Sequence, residues 1–582
     1  MRAIPTAAAQ LASYATPVDE PRNTPTAEKQ GTELWLARLA PFIALAVLLV
    51  LVVICRGAVF HSDAVFNPDE SEMLAAGRRA ALGIQPYGTY TSPTFLFLWP
   101  LLLGVLSSIG FSLTLSLAHI LSGIAYVWIA FVVWFGVARY MGWRRSALLV
   151  LPTSLYLFAG IPAPNLVDGD LGFPDFLSLG TELLPISLLM ASCCVIVTGR
   201  GVPGHWRLLL ASAIAGMAMW AKPQTVIVAG SFVVAALLLR YILTERSWGK
   251  EGAKETAKDA VIACSGFLVP SVLFFIWMVA GDTLQYFIQE PARVNWTYIT
   301  ARDALPGGAA LTIWQRFEPL GNFVLGYPLA IVWALAGLVG FTAIRTKRVR
   351  SMTTATAVLW LTPLVAATVT LALSFPLFPH YANLLYGGGA IAAVLGARVA
   401  IAADPMRRHV AAAWAPLALI GTLAALAATS ATGGAIYRNL DTIGEPPATL
   451  TGGTSDPLAK ACPRGSRVLF WGYGLEFYAA YDWVPASRYV NIGSILIASK
   501  RQNVYQDRFV GEIRSTPPQC IVEALGPKFA SPGWTDADNL KARVPELAPL
   551  LKRCYASQKI TIPDGRPVRV YVWNDRCAAP LS

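Results

Sequence analysis

Between residues 41 and 55 the chain reads PFIALAVLLVLVVIC, without a single charged position. Long apolar runs of this kind recur as far as residue 430. They lack the strict alternation of half-buried strands and are long enough to be membrane-span candidates. Five basic clusters punctuate them: Arg139/Arg144/Arg145, Arg200/Arg207, Arg240 through Lys258, Arg345/Lys347/Arg348/Arg350 and Arg407/Arg408. Excess Lys and Arg marks cytoplasmic loops. Each interval between clusters holds enough apolar sequence for two spans and a turn. If all five clusters are cytoplasmic, the hairpin tips on the other side are 161–182, 221–224, 281–320 and 374–381. A last span at about 411–430 then carries residues 431–582 outside.

Three apolar runs, 39–57, 93–109 and 114–138, precede the first basic cluster. With a cytoplasmic N-terminus only two of them can cross. Segment 93–109 is short and contains Pro93 and Pro100, so it is expected to lie in the outer interface or to re-enter. That gives about eleven spans, with the N-terminus inside and the C-terminus outside. If 93–109 does cross, the N-terminus is outside instead. Residues 1–38 are polar and rich in Pro and Thr, and are expected to be a disordered cytoplasmic segment followed by an uncleaved anchor.

From residue 462 the pattern changes. SRVLFWG, QCIVEAL and PVRVYVWN are short, β-rich apolar runs, whereas GLEFYAAYD and NLKARVPELAPLLKRC look helical. Strands alternating with helices predict an α/β domain. Cys462, Cys520, Cys554 and Cys577 all fall in this polar region. An even number in one soluble domain fits two disulfides in an oxidising compartment. Of the three connectivities, Cys462–Cys520 with Cys554–Cys577 is favoured; four free thiols in a cytoplasmic domain is the alternative. The organisation expected is thus 1–38, a membrane domain 39–430 with a first external loop 58–113, and a domain 431–582.

Composition agrees. The 582 residues are 55% hydrophobic and only 14% charged, against about 25% charged in soluble chains. The net charge of +12 is accounted for by the cytoplasmic clusters. No basic stretch is interleaved with aromatics, so nucleic-acid binding is not expected. No Gly-rich phosphate loop is present, and Gly387–Gly389 sit in an apolar run that suits close helix packing.

Candidate chemistry begins at FNPDE, about ten residues beyond the first apolar run, with the adjacent carboxylates of Asp69 and Glu70. Asn67 can cap a helix, Pro68 suits its first position, and Glu70 would complete a capping box. A helix start is also a rigid mount for a functional carboxylate. The following SEMLAAGRRAALG places Met73, Leu74, Gly77, Ala80 and Ala81 on roughly one face. An amphipathic helix on the outer membrane surface would do this.

The order of a first span, an Asp-Glu pair, an amphipathic helix, PYGTY and a Pro-containing apolar segment resembles the first external loop of the GT-C superfamily of lipid-dependent glycosyltransferases. Bacterial enzymes resembling protein O-mannosyltransferases and aminoarabinose transferases are the nearest comparison. GTELLPISLL resembles the acidic approach to that family's fourth span, AKPQ its Lys-containing turn, and FPHYANLL its late HY motif. WGYGLEFYAAYDWVPASRYV resembles a motif of many bacterial members' C-terminal domains. The likeness covers about 40 to 490, and the order of the motifs carries more weight than any one of them. The family's Pro after HY is missing here.

The resemblance implies an all-α polytopic membrane domain of GT-C type plus an extracytoplasmic α/β domain, in a bacterial inner membrane. It implies inverting transfer from a polyprenyl-phosphate-linked sugar to a glycan, lipid or protein acceptor outside the cell. Attack by an acceptor hydroxyl needs a carboxylate base within hydrogen-bond reach. Asp69 is expected in that role, with Glu70 positioning it or binding the acceptor. A helix N-terminus favours the ionised carboxylate and so weakens it as a base, which leaves acceptor orientation or metal binding open for Asp69. Departing phosphate needs cations or donors, and Lys222, His380, Tyr381 and Arg293 are the expected substrate-binding residues. Arg302 and Arg316 share the loop of Arg293 and could do the same. Lys222 could equally snorkel at a helix end, and His380 could be structural. The family's acidic residue before the fourth span matches either Asp175 or Glu182. Asp168 and Asp170 could hold a divalent cation, Mg or Mn, or could be plain solvated loop acids. Rival functions are a transporter or flippase for a lipid-linked sugar, which should carry an internal repeat and mid-depth charges, and a catalytically inactive GT-C relative.

Overall fold

In the computed structural model, the residues described are 27–62, 65, 67–83, 85, 87–91, 96–159, 177–199, 201–244, 249–290, 292, 320, 350–374, 379–403, 456–472, 474–491, 502–525, 539–562, 566–574 and 577. The chain falls into two compact units, Met1–Ala46 and Val47–Ser582.

The helices before the C-terminal region are α1 (Ala27–Phe60), α2 (Pro68–Ala81), α3 (Leu98–Ser108), α4 (Leu115–Met141), α5 (Trp143–Ala159), α6 (Leu183–Val197), α7 (His205–Ala221), α8 (Val226–Leu243), α9 (Lys250–Ala280), the short α10 (Leu284–Gln289), α11 (Arg350–Leu373) and α12 (Ala382–Ala403), with α1 starting inside the segment 1–38 that was expected to be disordered. Among the described residues five segments are long and apolar enough to cross a bilayer: Leu39–Phe60, Leu115–Arg139, Pro223–Leu243, Lys250–Ala280 and Ala382–Val399. The expected spans near 321–344 and 411–430 lie outside the described residues. Exposed Leu268, Val272, Leu273, Ile276 and Val279 on α9 form an apolar face suited to lipid. Small residues set the helix crossings. A Cβ on Gly216 would lie 2.2 Å from the Phe267 carbonyl oxygen, and one on Gly388 would lie 2.8 Å from that of Pro363. The glycine run of α12 therefore serves close packing.

Helix α3 has 11 residues. At 1.5 Å per residue it reaches about 16 Å, half of a ~30 Å hydrocarbon core. It lies against α2, where a Cβ on Gly77 would meet Leu103 Cβ at 2.5 Å and one on Gly104 would meet Ala80 Cβ at 2.9 Å. Helix α2 differs from its expected setting. Ser71 through Arg78 are all buried, polar and apolar alike, because the C-terminal region covers the face that a surface helix would leave to water.

That region contains α13 (Pro457–Ala461), β1 (Arg467–Gly472), α14 (Glu476–Ala480), β2 (Val484–Pro485), α15 (Gln502–Ser515), β3 (Cys520–Ala524), α16 (Leu540–Arg543), α17 (Ala548–Cys554), β4 (Tyr555–Thr561) and β5 (Pro567–Trp573). The sheet order is β2-β1-β3-β5-β4. Strand β1 runs parallel to β2 and β3, and β5 is antiparallel to β3 and β4. Leu469, Trp471, Phe509, Ile513, Ile521 and Leu551 lie in the core between this sheet and its helices. Disulfides join Cys462 to Cys520 and Cys554 to Cys577.

Residues 482–491 fasten this region to α2 and the segments that flank it. Arg78 pairs with Asp482 and donates to the Leu113 carbonyl at 2.7 Å. Arg79 donates to the carbonyls of Thr89 (2.8 Å) and Pro485 (3.2 Å). Asn491 donates to Glu72 at 3.0 Å, and the Thr91 amide donates to the Arg488 carbonyl at 2.9 Å. Arg488 pairs with Glu512 in its own domain and lies over the Tyr286 ring. Tyr489 donates to Glu290, just past α10, at 2.8 Å. Burial, and then the Glu290 carboxylate, push the Tyr489 phenol up, so it stays a donor at neutral pH.

Candidate active site

The first turn of α2 is built by Asn67. Its backbone is extended and its Oδ1 accepts the Asp69 amide at 2.7 Å, with Pro68 at the first helical position. This is the expected N-cap. Glu70 reaches beyond its own helix. Its fully buried carboxylate accepts the Leu179 amide at 3.1 Å and lies 3.5 Å from His119 Nε2. Glu70 thus ties α2 to the approach of α6 and to α4. Asp69, one residue earlier, is only half-buried.

Glu182 stands immediately before α6, Lys222 immediately after α7, and His380 and Tyr381 in the turn before α12. Lys222 Nζ is paired with Glu182 Oε1, donates to Thr181 Oγ1 at 2.6 Å and lies 4.6 Å from the centre of the Tyr381 ring. Thr181 Oγ1 in turn donates a hydrogen bond to Glu182 Oε1 at 3.1 Å. His380 Nδ1 and the Asn67 amide nitrogen are 3.0 Å apart. An amide nitrogen only donates, so Nδ1 accepts and Nε2 carries the ring proton. Nε2 lies 3.9 Å from Glu182 Oε1, too far for a hydrogen bond. Four segments distant in sequence therefore meet in one buried polar cluster, which includes Glu182.

Beneath this cluster lie residues that sequence reasoning missed. Tyr126 donates to Asn383 Oδ1 at 2.9 Å. Arg56, fully buried, lies 4.5 Å from the Tyr126 ring centre and donates to Ser122 at 3.1 Å and to the Phe158 carbonyl at 2.8 Å. Trp99 donates to the Thr181 carbonyl at 3.0 Å. His119, Tyr126 and Arg56 sit inside apolar helices, where only their polarity marks them.

Asp168, Asp170, Asp175, Arg293, Arg302 and Arg316 lie outside the described residues. Among the described residues no group of three or more His, Cys, Asp or Glu side chains is placed to hold a metal ion.

The structure is similar to that of ArnT from Cupriavidus metallidurans bound to undecaprenyl phosphate. The TM-score is 0.51 at 16% identity, over 92% of this chain and 99% of that one. This chain has the GT-C fold. The apo form of the same ArnT gives a TM-score of 0.48 at 14% identity, over 94% of this chain and 100% of that one. An oligosaccharyltransferase from Archaeoglobus fulgidus gives 0.41 at 14% identity, over 94% and 76%. No protein-family model and no curated protein matches the sequence. Within this fold, the polar cluster lies where the start of α2 and the ends of α6, α7 and α12 converge.

Proposed function

We propose that this protein is a membrane glycosyltransferase that moves a sugar from a polyprenyl-phosphate donor to an extracytoplasmic acceptor with inversion. The observation that carries the reading is the convergence of Asn67, Glu182, Lys222 and His380 beside the first turn of α2. The ArnT structure of the same fold is bound to undecaprenyl phosphate, which supports the class of donor. The acceptor is a glycolipid, a polysaccharide or a protein.

In this mechanism Asp69 takes the proton of the attacking acceptor hydroxyl. It is the half-buried carboxylate of the pair, whereas Glu70 is enclosed and holds loops together. The bond from the anomeric carbon to the phosphate oxygen breaks as the bond to the acceptor oxygen forms. Polyprenyl phosphate leaves as a stable anion, so no second acid of glycosidase type is needed. Lys222 and the Nε2–H of His380 face the departing phosphate and take up its charge. Glu182 keeps Lys222 in place until that charge arrives.

A transporter reading fares worse. Arg56 lies in the last turns of α1, His119 just inside α4, Glu182 before α6 and Lys222 after α7. Ionisable groups gathered at helix ends suit a site at the membrane surface better than a path at mid-depth.

The test is transfer by the purified full chain in lipid nanodiscs, with radiolabelled undecaprenyl-phosphate-linked hexoses and pentoses and a panel of envelope glycolipids and peptides. Asp69→Asn is expected to lower turnover by about 100-fold or more while the melting temperature stays put. Full activity in that variant removes Asp69 from the chemistry.

A further inference from the structure

Gly180 lies two residues before Glu182, in the approach to α6. Its φ is not in the left-handed region, so the backbone does not require glycine there. Space does. A methyl group on Gly180 would sit 3.3 Å from Glu182 Oε2, 3.6 Å from Asn383 Nδ2 and 3.9 Å from His380 Cβ.

Both of the polar atoms facing that spot lack a hydrogen-bond partner among the described residues. Asn383 is 2% exposed and Glu182 is fully buried. Native proteins seldom leave a buried donor or acceptor unmet, and here one of each borders the same methyl-sized volume. Neither can turn away without loss. Asn383 Oδ1 is held by the Tyr126 hydroxyl, and Glu182 Oε1 by Lys222 and Thr181.

We propose that Gly180, Asn383 and Glu182 form a subsite for one hydroxyl group of the transferred sugar. Asn383 Nδ2 donates to the hydroxyl oxygen, and the hydroxyl donates to Glu182 Oε2. A hydroxyl both accepts and donates, as this pair requires. An ammonium would turn its protons against the Asn383 amide protons, and a phosphate or carboxylate would turn lone pairs against Glu182. The spot therefore selects a neutral polyol. Its neighbours Lys222 and His380 serve the adjoining phosphate, so sugar and phosphate recognition share Glu182, one oxygen for each. This inference rests on the glycosyltransferase reading and adds to it a sugar contact and its polarity.

The experiment uses the full chain in nanodiscs and measures binding of undecaprenyl phosphate alone and of undecaprenyl-phosphate-linked hexoses and pentoses, by quenching of tryptophan fluorescence. Wild type is expected to bind at least one sugar-bearing lipid tenfold or more tighter than the bare lipid. Gly180→Ala fills the spot and is expected to abolish that margin, with bare-lipid affinity unchanged. Gly180→Ser carries a hydroxyl into the spot, and is expected to lose the margin too while raising the melting temperature, since it supplies the unmet pair. A wild type with no margin for any sugar overturns the donor reading and the subsite together. A margin kept by Gly180→Ala overturns the subsite alone. A raised melting temperature in both variants with the margin intact means that the spot holds only a buried water, and also overturns it.

Discussion

Asn67 and His380 are 313 positions apart in sequence and 3.0 Å apart in space, joined through the amide nitrogen of one and Nδ1 of the other. The opposite end of the same amide caps the helix that carries Asp69. One side chain therefore fixes the first turn under the expected base and the tautomer of the histidine beside Glu182.

Asn67→Ala removes both functions. The lost cap costs about 1 kcal/mol, and His380 Nδ1 loses the amide that donates to it. Asn67→Asp keeps an oxygen for the Asp69 amide but has no proton to give to Nδ1. Its stability is expected within about 1 kcal/mol of wild type, with transfer at least tenfold lower. Melting curves and initial rates on the same preparations read the two effects separately. Wild-type transfer by Asn67→Asp would mean that the His380 tautomer is immaterial to the reaction.

Lys222 and Glu182 form an ion pair with side-chain exposures of 2% and 0%. Taking one partner from such a pair strands the other charge in a poorly solvated place, at a cost of about 3–5 kcal/mol. Replacing both with neutral groups avoids that cost. Lys222→Met and Glu182→Gln are each expected to melt well below wild type, and the double variant to recover much of the loss. All three are expected to be inactive. A double variant that melts no higher than the worse single variant would show that the pair is not coupled. Tyr381 contributes separately, since its ring faces the ammonium at 4.6 Å. Tyr381→Leu is expected to cost about 1–2 kcal/mol.

How much of this was legible in the sequence follows from where each residue lies. Lys222, Glu182 and His380 stand in short polar breaks between apolar runs, and basic clusters at the opposite ends of those runs assign the breaks to one side. The pattern did not reveal their partners. Asn383 is one polar position in YANLLYGGG, and His119 one in LSLAHILSG; a single polar residue inside a helix has no period to announce it. Spacing offers Glu70 as half of a capping box, and it cannot show that the carboxylate reaches across to Leu179 in another loop. In the C-terminal domain, β1, β3 and β5 are apolar and readable. Strand β4, YASQKIT, lies at the sheet edge with Ala556 through Lys559 exposed, so no face demands apolar residues. Helix α15 did carry a signal in Tyr505, Phe509 and Ile513, four residues apart and all buried.

Gly77 and Gly104 let α2 and α3 approach closely. Ala at 77 would place its Cβ 2.5 Å from that of Leu103 and 3.1 Å from Leu113 Cδ1. The Leu103 contact lies next to backbone and cannot swing aside. Gly77→Ala is expected to destabilise by about 1–3 kcal/mol and to lower transfer, because the displaced α2 carries Asp69 with it. Leu103→Ala in the same chain removes the clashing side chain beyond its Cβ but not the Cβ itself, so it is not expected to rescue. Leu103→Gly is expected to rescue in part. The readouts are melting temperature and transfer rate, and an active, stable Gly77→Ala would show that the helices can separate without cost.

The two disulfides close loops of 58 and 23 residues. Loop-closure entropy assigns them about 4 and about 3 kcal/mol. The longer one matters more to the site. Cys462 adjoins β1, Cys520 opens β3, and the Cys462 carbonyl accepts from Trp483 at 2.9 Å, one residue from the Asp482 that pairs with Arg78. Loosening this corner should loosen the domain's grip on α2. Replacing Cys462 and Cys520 by Ser is therefore expected to lower both melting temperature and transfer, whereas replacing Cys554 and Cys577 lowers melting temperature with a smaller effect on transfer. The same four residues report the compartment. Protein isolated under alkylating conditions without reductant should carry no label at any of them, as read by mass spectrometry. Four labelled thiols would place the domain in a reducing compartment, on the wrong side of the membrane for a lipid-linked sugar to meet an extracytoplasmic acceptor.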